Sequence, residues 1–329
     1  MSRFSILWAV SAVIGASVAH ISVAGAQTDV NLRLDWSLYG AHAPFYVGLE
    51  EGLYEKAGLN VTVAEGQGSA TVSKLVAQGG DQFGFIDFST MIRGVEQGLP
   101  ITGVMRIVSD AMVVISPADA PIKSPKELEG KVIAYAPAES TAQAIPALLK
   151  AEGVDPDQIS VLNPAVGAKL ALFLQGRADA IPANLNVQVA QIEAQGEEVY
   201  YFRYADYGVD MLAQGIAVNN DFLSENPDVV RAFLEATKEA FLMAKDNPEK
   251  AVDALIARVP EQDRNRDTLL RQWELTIPLL VTESTKDEPF GWMSEQDWEQ
   301  TQNILVEYGG LPSKVELDRL YTNEYLPEE

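Results

Sequence analysis

The chain has 329 residues, is 47% hydrophobic and 22% charged, and carries 47 Asp and Glu against 24 Lys and Arg, a formal charge of −23. That length suggests two compact units with ample core, and the acidic balance excludes non-specific attraction to phosphate backbones or anionic membranes, so no nucleic-acid partner is expected. Cysteine is absent and histidine occurs twice, which removes disulfides, thiolate metal sites, Cys nucleophiles and multi-histidine metal centres; no cofactor is expected.

Residues 1–26 read as a cleavable signal peptide. Arg3 opens it, Ile6–Val23 is largely apolar, and Ala24-Gly25-Ala26 fits the small-x-small cleavage pattern before Gln27. A lipoprotein would need a cysteine at that point. The expected address is therefore the periplasm, in soluble form, with His42 as the sole histidine of the mature chain.

Val30, Leu32, Leu34 and Trp36 share the parity of a strand. Pro44 opens a helix that Gly58 ends, Asn60–Glu65 is a second strand, and Gly66-Gln67-Gly68-Ser69 turns into a helix over Thr71–Ala77. Phe83–Asp87 is a third strand, with Ser89 as the expected N-cap of the helix that follows. Ile101–Val108 is a fourth. The alternation then restarts with strands at Ala111–Ser116, Lys131–Ala136, Ile159–Leu162, Ala178–Pro182 and Val199–Tyr204. Helices over Ser140–Glu152 (bent at Pro146), around Ala168–Gln175 and over Asn186–Ala194 lie between them. After one more strand, Gly215–Asn219, the text is helical, with Val230, Phe233, Leu234, Thr237 and Phe241 at helical spacing and Asn247-Pro248 restarting a second helix. Two stretches echo each other: Val76-Ala77-Gln78-Gly79 and Phe173-Leu174-Gln175-Gly176 each precede a strand, a helix and a Gln-Gly pair. True duplication and the ordinary likeness of two βα units explain this equally well.

The fold class expected is α/β, a two-lobed arrangement of parallel-rich sheets flanked by helices with a helical C-terminal region. Lobe I is drawn from 27–108 and 213–329 and lobe II from 109–212, with the chain crossing near 106–111 and returning near 207–212. Two hinged lobes enclose a cleft suited to a small ligand.

No phosphate-binding GxxxxGK[ST], dinucleotide GxGxxG, HExxH or GxSxG motif occurs. In parallel sheets ligands gather at the carboxyl ends of strands, which selects six loops: 35–42, 66–71, 87–90, 137–141, 163–168 and 182–186. Candidate ligand contacts are Asp35, Trp36, Tyr39 and His42 in the first, Ser69 and Thr71 in the second, and Asp87 and Ser89 in the third. Ser140 and Thr141, Asn163, Asn184, and Tyr207 beside the return crossing complete the set. Trp36 is in phase with Leu32 and Leu34, as a core residue would be, and also stands where a planar ligand would stack. Tyr39, outside the strand, is expected to face the cleft. The hydroxyls and amides at helix starts are caps or ligand groups alike, and Asp87 is a cleft acceptor or a helix cap.

Leu34-Asp35-Trp36, His42 and the run Tyr46–Val61 (YVGLEEGLYEKAGLNV) resemble the start of substrate-binding proteins of bacterial ABC importers. Gly66-Gln67-Gly68-Ser69, Phe83–Asp87, Ser124–Ile133 and Asn226–Phe233 carry the resemblance over nearly all of the mature chain. The branch resembled includes binders of thiamine-pyrimidine precursors, riboflavin, nitrate, taurine and other sulfonates. It implies a periplasmic-binding-protein fold of type II, a monomer that captures a small planar or anionic solute, and delivery to an inner-membrane permease with its ATPase. Within the branch, Leu34-Asp35-Trp36 with a nearby histidine looks most like the pyrimidine-precursor binders and places Trp36, Tyr39 and His42 at the ring. Ala41 stands where that pattern has Asn, and Ala183-Asn184-Leu185-Asn186 lacks its Trp and Glu. The cysteine-rich motif of the related eukaryotic pyrimidine synthases is missing, so no enzyme activity is expected. An exported enzyme with His42 as base, and a ligand-sensing partner of a membrane receptor, are the competing classes.

Overall fold

The computed structural model describes residues 27–136, 139–165 and 168–327. The signal peptide expected at 1–26 lies outside the described residues, as do positions 137–138 and 166–167 within two of the candidate loops. Among the described residues no helix is long and apolar enough to cross a membrane.

The first sheet is built from β1 (Thr28–Arg33), β2 (Leu59–Ala64), β3 (Phe83–Asp87) and β4 (Ile101–Arg106), joined by β10 (Gln214–Asn219) from much later in the chain. Its order is β2-β1-β3-β10-β4. β1 pairs in parallel with both β2 and β3, while β10 runs against β3 and β4. Parallel neighbours need a crossover, and the helices Ala43–Glu50 and Ser69–Ala77 supply it.

The second group of strands comprises β5 (Met112–Pro117), β6 (Val132–Ala134), β7 (Ser160–Leu162), β8 (Ile181–Asn184) and β9 (Val199–Arg203). β5 lies between β8 and β9 and runs against both. β6 pairs in parallel with β7 and touches β8 through a parallel bridge, Ile133 to Ala180. The resulting order β7-β6-β8-β5-β9 repeats the first sheet position for position, including one reversed strand in fourth place. β3 and β8, the two strands that the echoed Gln-Gly segments precede, occupy equivalent places. Each reversed strand is delivered by a chain segment arriving from the other sheet. These two segments meet at a bridge between Ser109 and Leu212, with Asp110 N donating to Met211 O at 3.1 Å and Ala213 N to Val108 O at 3.1 Å. Asp110 sits there at φ +53°, the one non-glycine residue with positive φ among the described residues.

The helical C-terminal region covers the first sheet. Helix Pro227–Asp246 buries Val230, Phe233, Leu234, Thr237 and Phe241, the stripe legible from spacing alone. Phe233 stacks on Phe83 with ring centroids 4.0 Å apart, and the Tyr54 hydroxyl bonds Thr237 Oγ1 at 3.1 Å. Replacing Phe233 with Ala removes this seam between helix and sheet and costs about 3–5 kcal/mol. Asn247 ends this helix and accepts from Lys250 N at 3.1 Å to start helix Pro248–Arg258. The helix expected over 140–152 is divided rather than bent. Ser140–Gln143 and Ile145–Ala151 are separate, because Pro146 lacks an N–H and fits only near the start of a helix.

Candidate functional site

The carboxyl ends of β1, β3 and β8 and the first residue of β10 converge on a cleft of about 810 Å³. This is in the upper part of the size range of small-molecule sites. One wall comes from the first sheet and carries Asp35, Trp36, Tyr39, Ser69, Asp87 and Gln214. The other comes from the second and carries Glu139, Ser140, Thr141, Lys169, Asn184 and Gln188. Helix Arg266–Thr276 closes one side with Thr268, Leu269 and Gln272.

On the first wall β1 ends at Arg33 and the chain turns. Gly68 N donates to Asp35 O at 2.8 Å and Gly66 N to Trp36 O at 3.3 Å, so the alternation that buries Val30, Leu32 and Leu34 stops before Trp36. Trp36 is 49% exposed. The core reading of this residue is thus overturned, and its indole stands in the cleft. Tyr39 corrects the opposite expectation. It touches the cleft but is buried, and its hydroxyl donates to Asp35 Oδ2 at 3.3 Å. Burial first, then the Asp35 charge, lifts this hydroxyl well above the ordinary phenol range, so it remains a neutral donor.

His42 lies behind Tyr39 with no exposed surface and does not line the cleft. Its Nε2 is 2.8 Å from Asp35 Oδ1, and its Nδ1 accepts from Tyr39 N at 3.3 Å. A nitrogen that accepts carries no proton, so the Nε2–H tautomer donates to Asp35. The resemblance to pyrimidine-precursor binders placed His42 at the ligand. The fold instead packs it beneath the loop, 4.0 Å from the Tyr39 ring centroid and 5.5 Å from that of Phe85. Gly40 makes the tight descent possible: a Cβ there would sit 2.3 Å from Leu269 O and 2.5 Å from Trp273 N. Its own N–H donates to Gln272 Oε1 at 2.9 Å.

Asp87 is both cap and cleft acceptor. It, not Ser89, is the N-cap of helix Phe88–Glu96, accepting from Thr90 N at 2.8 Å, while the buried Ser89 hydroxyl donates to the same carboxylate. Burial raises the Asp87 carboxyl above its usual range and nearby Asp35 adds to the rise, opposed by the bonds from Ser89 and Thr90. Ser69 Oγ accepts from Asp87 N at 3.0 Å. Gln214 pairs with Asp87 across the strands, is 7% exposed, and leaves its Oε1 without a partner.

On the second wall Thr141 is 3% exposed, and its Oγ1 has no partner among the described residues. Lys169, 7% exposed, bonds the Glu139 carboxylate and donates to Pro182 O at 2.8 Å. Asn184 lines the cleft while its backbone N–H donates to Gln188 Oε1 at 2.8 Å. Among the expected contacts, Thr71, Ser89, Asn163 and Tyr207 do not line the cleft. Thr71 and Asn163 face solvent, Ser89 serves the cap, and the Tyr207 hydroxyl donates to Lys123 O at 3.4 Å.

Reading strand ends missed Gln214, because β10 is reversed and it is the start of that strand that reaches the cleft. Lys169 was missed because a helical lysine normally points to water. Its signal was isolation, as the only charge between Asp157 and Arg177, set directly before the apolar run Leu170–Leu174.

Two further features frame the site. Across its rim, Arg271 Nε and Nη2 reach Glu193 Oε2 and Oε1 at 2.8 and 3.3 Å, and Gln272 Nε2 donates to Val187 O at 3.4 Å. At the crossing, Ser109, Asp110, Asp210 and Asp297 surround a void of about 10 Å³, space for one water. Burial, then Asp210 and, more weakly, Asp297, push the Asp110 carboxyl up to about 6, against the lowering effects of Arg203 and Arg106.

The chain is 25% identical over 325 residues to the formylaminopyrimidine-binding protein of Halalkalibacterium halodurans, covering 96% of this chain and 97% of that one. It is 25% identical over 291 residues to the riboflavin-binding protein RibY of Chloroflexus aurantiacus, covering 87% and 82%. Among solved structures, the periplasmic aliphatic sulphonate binding protein SsuA of Escherichia coli superposes with a TM-score of 0.71 at 14% identity, over 92% of this chain and 94% of that one. At that identity the likeness shows the fold alone: a two-lobed periplasmic binding protein of type II. The model of the family described as NMT1/THI5 like matches residues 40–251, which hold every strand but β1 and the start of the helical region, and the chain belongs to that family.

Proposed function

We propose that this chain is the extracytoplasmic solute-binding component of an ABC importer, and that its cargo is a flat, donor-bearing heterocycle of the pyrimidine thiamine-precursor type. One observation carries the reading: an aromatic face, Trp36, stands free in the cleft beside the acceptors Asp35, Asp87 and Gln214. A planar ring stacks on indole, and ring amines donate to buried acceptors that water reaches poorly. The relatives named for formylaminopyrimidine and riboflavin agree with a flat nitrogen heterocycle. Nitrate, taurine or another sulfonate fits less well, because among the described lining residues the carboxylates of Asp35, Asp87 and Glu139 face a single cation, Lys169.

In this reading 27–108 with 213–329 forms one lobe and 109–212 the other. The crossings at 106–111 and 207–212 hinge them, and the closed, monomeric form delivers its solute from the periplasm to a permease with its ATPase. Catalysis by His42 has no support in the geometry: the ring is fully buried and both nitrogens are engaged within the loop.

Titration calorimetry of the chain from Gln27 against formylaminopyrimidine, riboflavin, taurine and nitrate tests the proposal. Binding of a heterocycle at about micromolar Kd or tighter, with the ligand recovered unchanged, is the expected result. Binding of the anions alone overturns the ligand class, and turnover of the ligand overturns the non-catalytic role.

A further inference from the structure

We propose that Glu139 determines the charge class of ligand that the cleft accepts, by occupying the ammonium of Lys169 that would otherwise seat an anion. The inference rests on the reading of the cleft as the binding site. It adds the residue that decides between the heterocycle and anion classes.

Lys169 is a cleft-lining cation on the second wall and is buried. Its ammonium has three N–H donors, and among the described residues two are used, one by the Glu139 carboxylate and one by Pro182 O. Glu139 also lines the cleft, so both members of the pair belong to the wall that a ligand meets. Two residues along, the Thr141 hydroxyl is buried in the same wall and has no partner among the described residues. Ammonium, hydroxyl and carboxylate together have the form of an anion seat whose anion belongs to the protein. The seat is set by charge rather than by shape: a sulfonate entering it must displace a part-buried carboxylate from a buried ammonium and stand beside that like charge, which is unfavourable where solvent screening is reduced. A neutral amino heterocycle meets no such obstacle and gains acceptors. The aliphatic sulphonate binder that shares this fold shows that the scaffold itself is compatible with an anionic ligand.

The test uses ethanesulfonate as the anion probe and formylaminopyrimidine as the neutral one. Glu139→Gln keeps the shape and removes the charge that neutralises Lys169. Ethanesulfonate should bind the variant at least ten times more tightly than the weakest binding that calorimetry of the wild type would detect, weaken with salt, and raise the melting temperature of the variant. Glu139→Gln/Lys169→Met should fold and lose the gain. A variant that folds only with ethanesulfonate present also supports the proposal. Glu139→Gln that folds without binding the anion, or that no sulfonate concentration folds while the double variant folds normally, overturns it, as does equal anion binding by wild type. The two readings fail separately. A gain of sulfonate binding in Glu139→Gln with no heterocycle binding in wild type sinks the pyrimidine reading and keeps the gate. Heterocycle binding in wild type without any gain does the reverse.

Discussion

The two walls of the cleft share a strand order but solve their polar chemistry differently. On the first, both carboxylates are engaged within their own loops, with Gln214 Oε1 left open between the strands: His42 and Tyr39 hold both oxygens of Asp35, and Ser89 and Thr90 hold Asp87. On the second, one ion pair between Glu139 and Lys169 carries the charge and Thr141 is left unpartnered. The first wall is thus an acceptor surface prepared in advance, the kind of preorganisation that lowers the cost of binding. The second can be altered electrically by one substitution. Similar topology therefore does not imply similar function of the two halves.

The sharpest way to break this contrast is to dismantle the prepared wall. His42→Ala removes a fully buried ring and leaves Asp35 without its strongest partner, so urea denaturation should show a loss of about 3–5 kcal/mol. A loss below about 1 kcal/mol would mean the loop does not depend on this contact.

Next in size is the crossing that joins the two halves. Asp110 has a raised carboxyl pKa, about 6 in the folded chain. The folded form therefore binds the extra proton, so stability from this group is gained as pH falls from about 6 towards 4 and lost as pH rises through the same window. Asp110→Asn removes a largely buried charge, and with it the repulsion from Asp210 and Asp297, and keeps a residue that tolerates positive φ. It should stabilise the protein at pH 8 by roughly 1–3 kcal/mol and flatten the pH dependence of its melting temperature between 4 and 6. An unchanged pH profile would exclude Asp110 as its source.

Trp36→Ala should separate binding from folding. An exposed side chain contributes little to stability, within about 0.5 kcal/mol, whereas loss of a stacking face should weaken heterocycle binding by about tenfold. Equal affinity in the variant would remove Trp36 from the site. The smallest effect is at the rim. Arg271→Ala breaks an exposed pair with Glu193 worth at most about 1 kcal/mol. It should shift small-angle scattering of the ligand-free chain towards a more open form without changing its melting temperature by more than a degree or two.

Much of the architecture was legible because strands and helices announce themselves by period. The stripe from Val230 to Phe241 and the echo before β3 and β8 both proved to have structural counterparts. The site was less legible for a physical reason: exposure is set by tertiary packing, not by residue type. Trp36 had the parity of a core residue and is in the cleft, because the chain turns after Arg33. Tyr39 and His42 had the composition of an exposed loop and are buried, because Gly40 lets that loop press against helix Arg266–Thr276. That helix lies more than two hundred residues downstream, beyond the reach of any local pattern. Direction within a sheet is equally invisible to composition, which is why Gln214 escaped notice.

The exchange of reversed strands has a consequence for the order in which the protein is made. Every strand of the second sheet lies between residues 112 and 203, whereas the first needs β10, at 214–219, to attach β4 to the rest. As the chain emerges from its N-terminus, β4 has no neighbour to pair with until the whole second sheet has appeared. The half that is begun first is therefore finished last, and its buried strand β4 waits about a hundred residues for its partner.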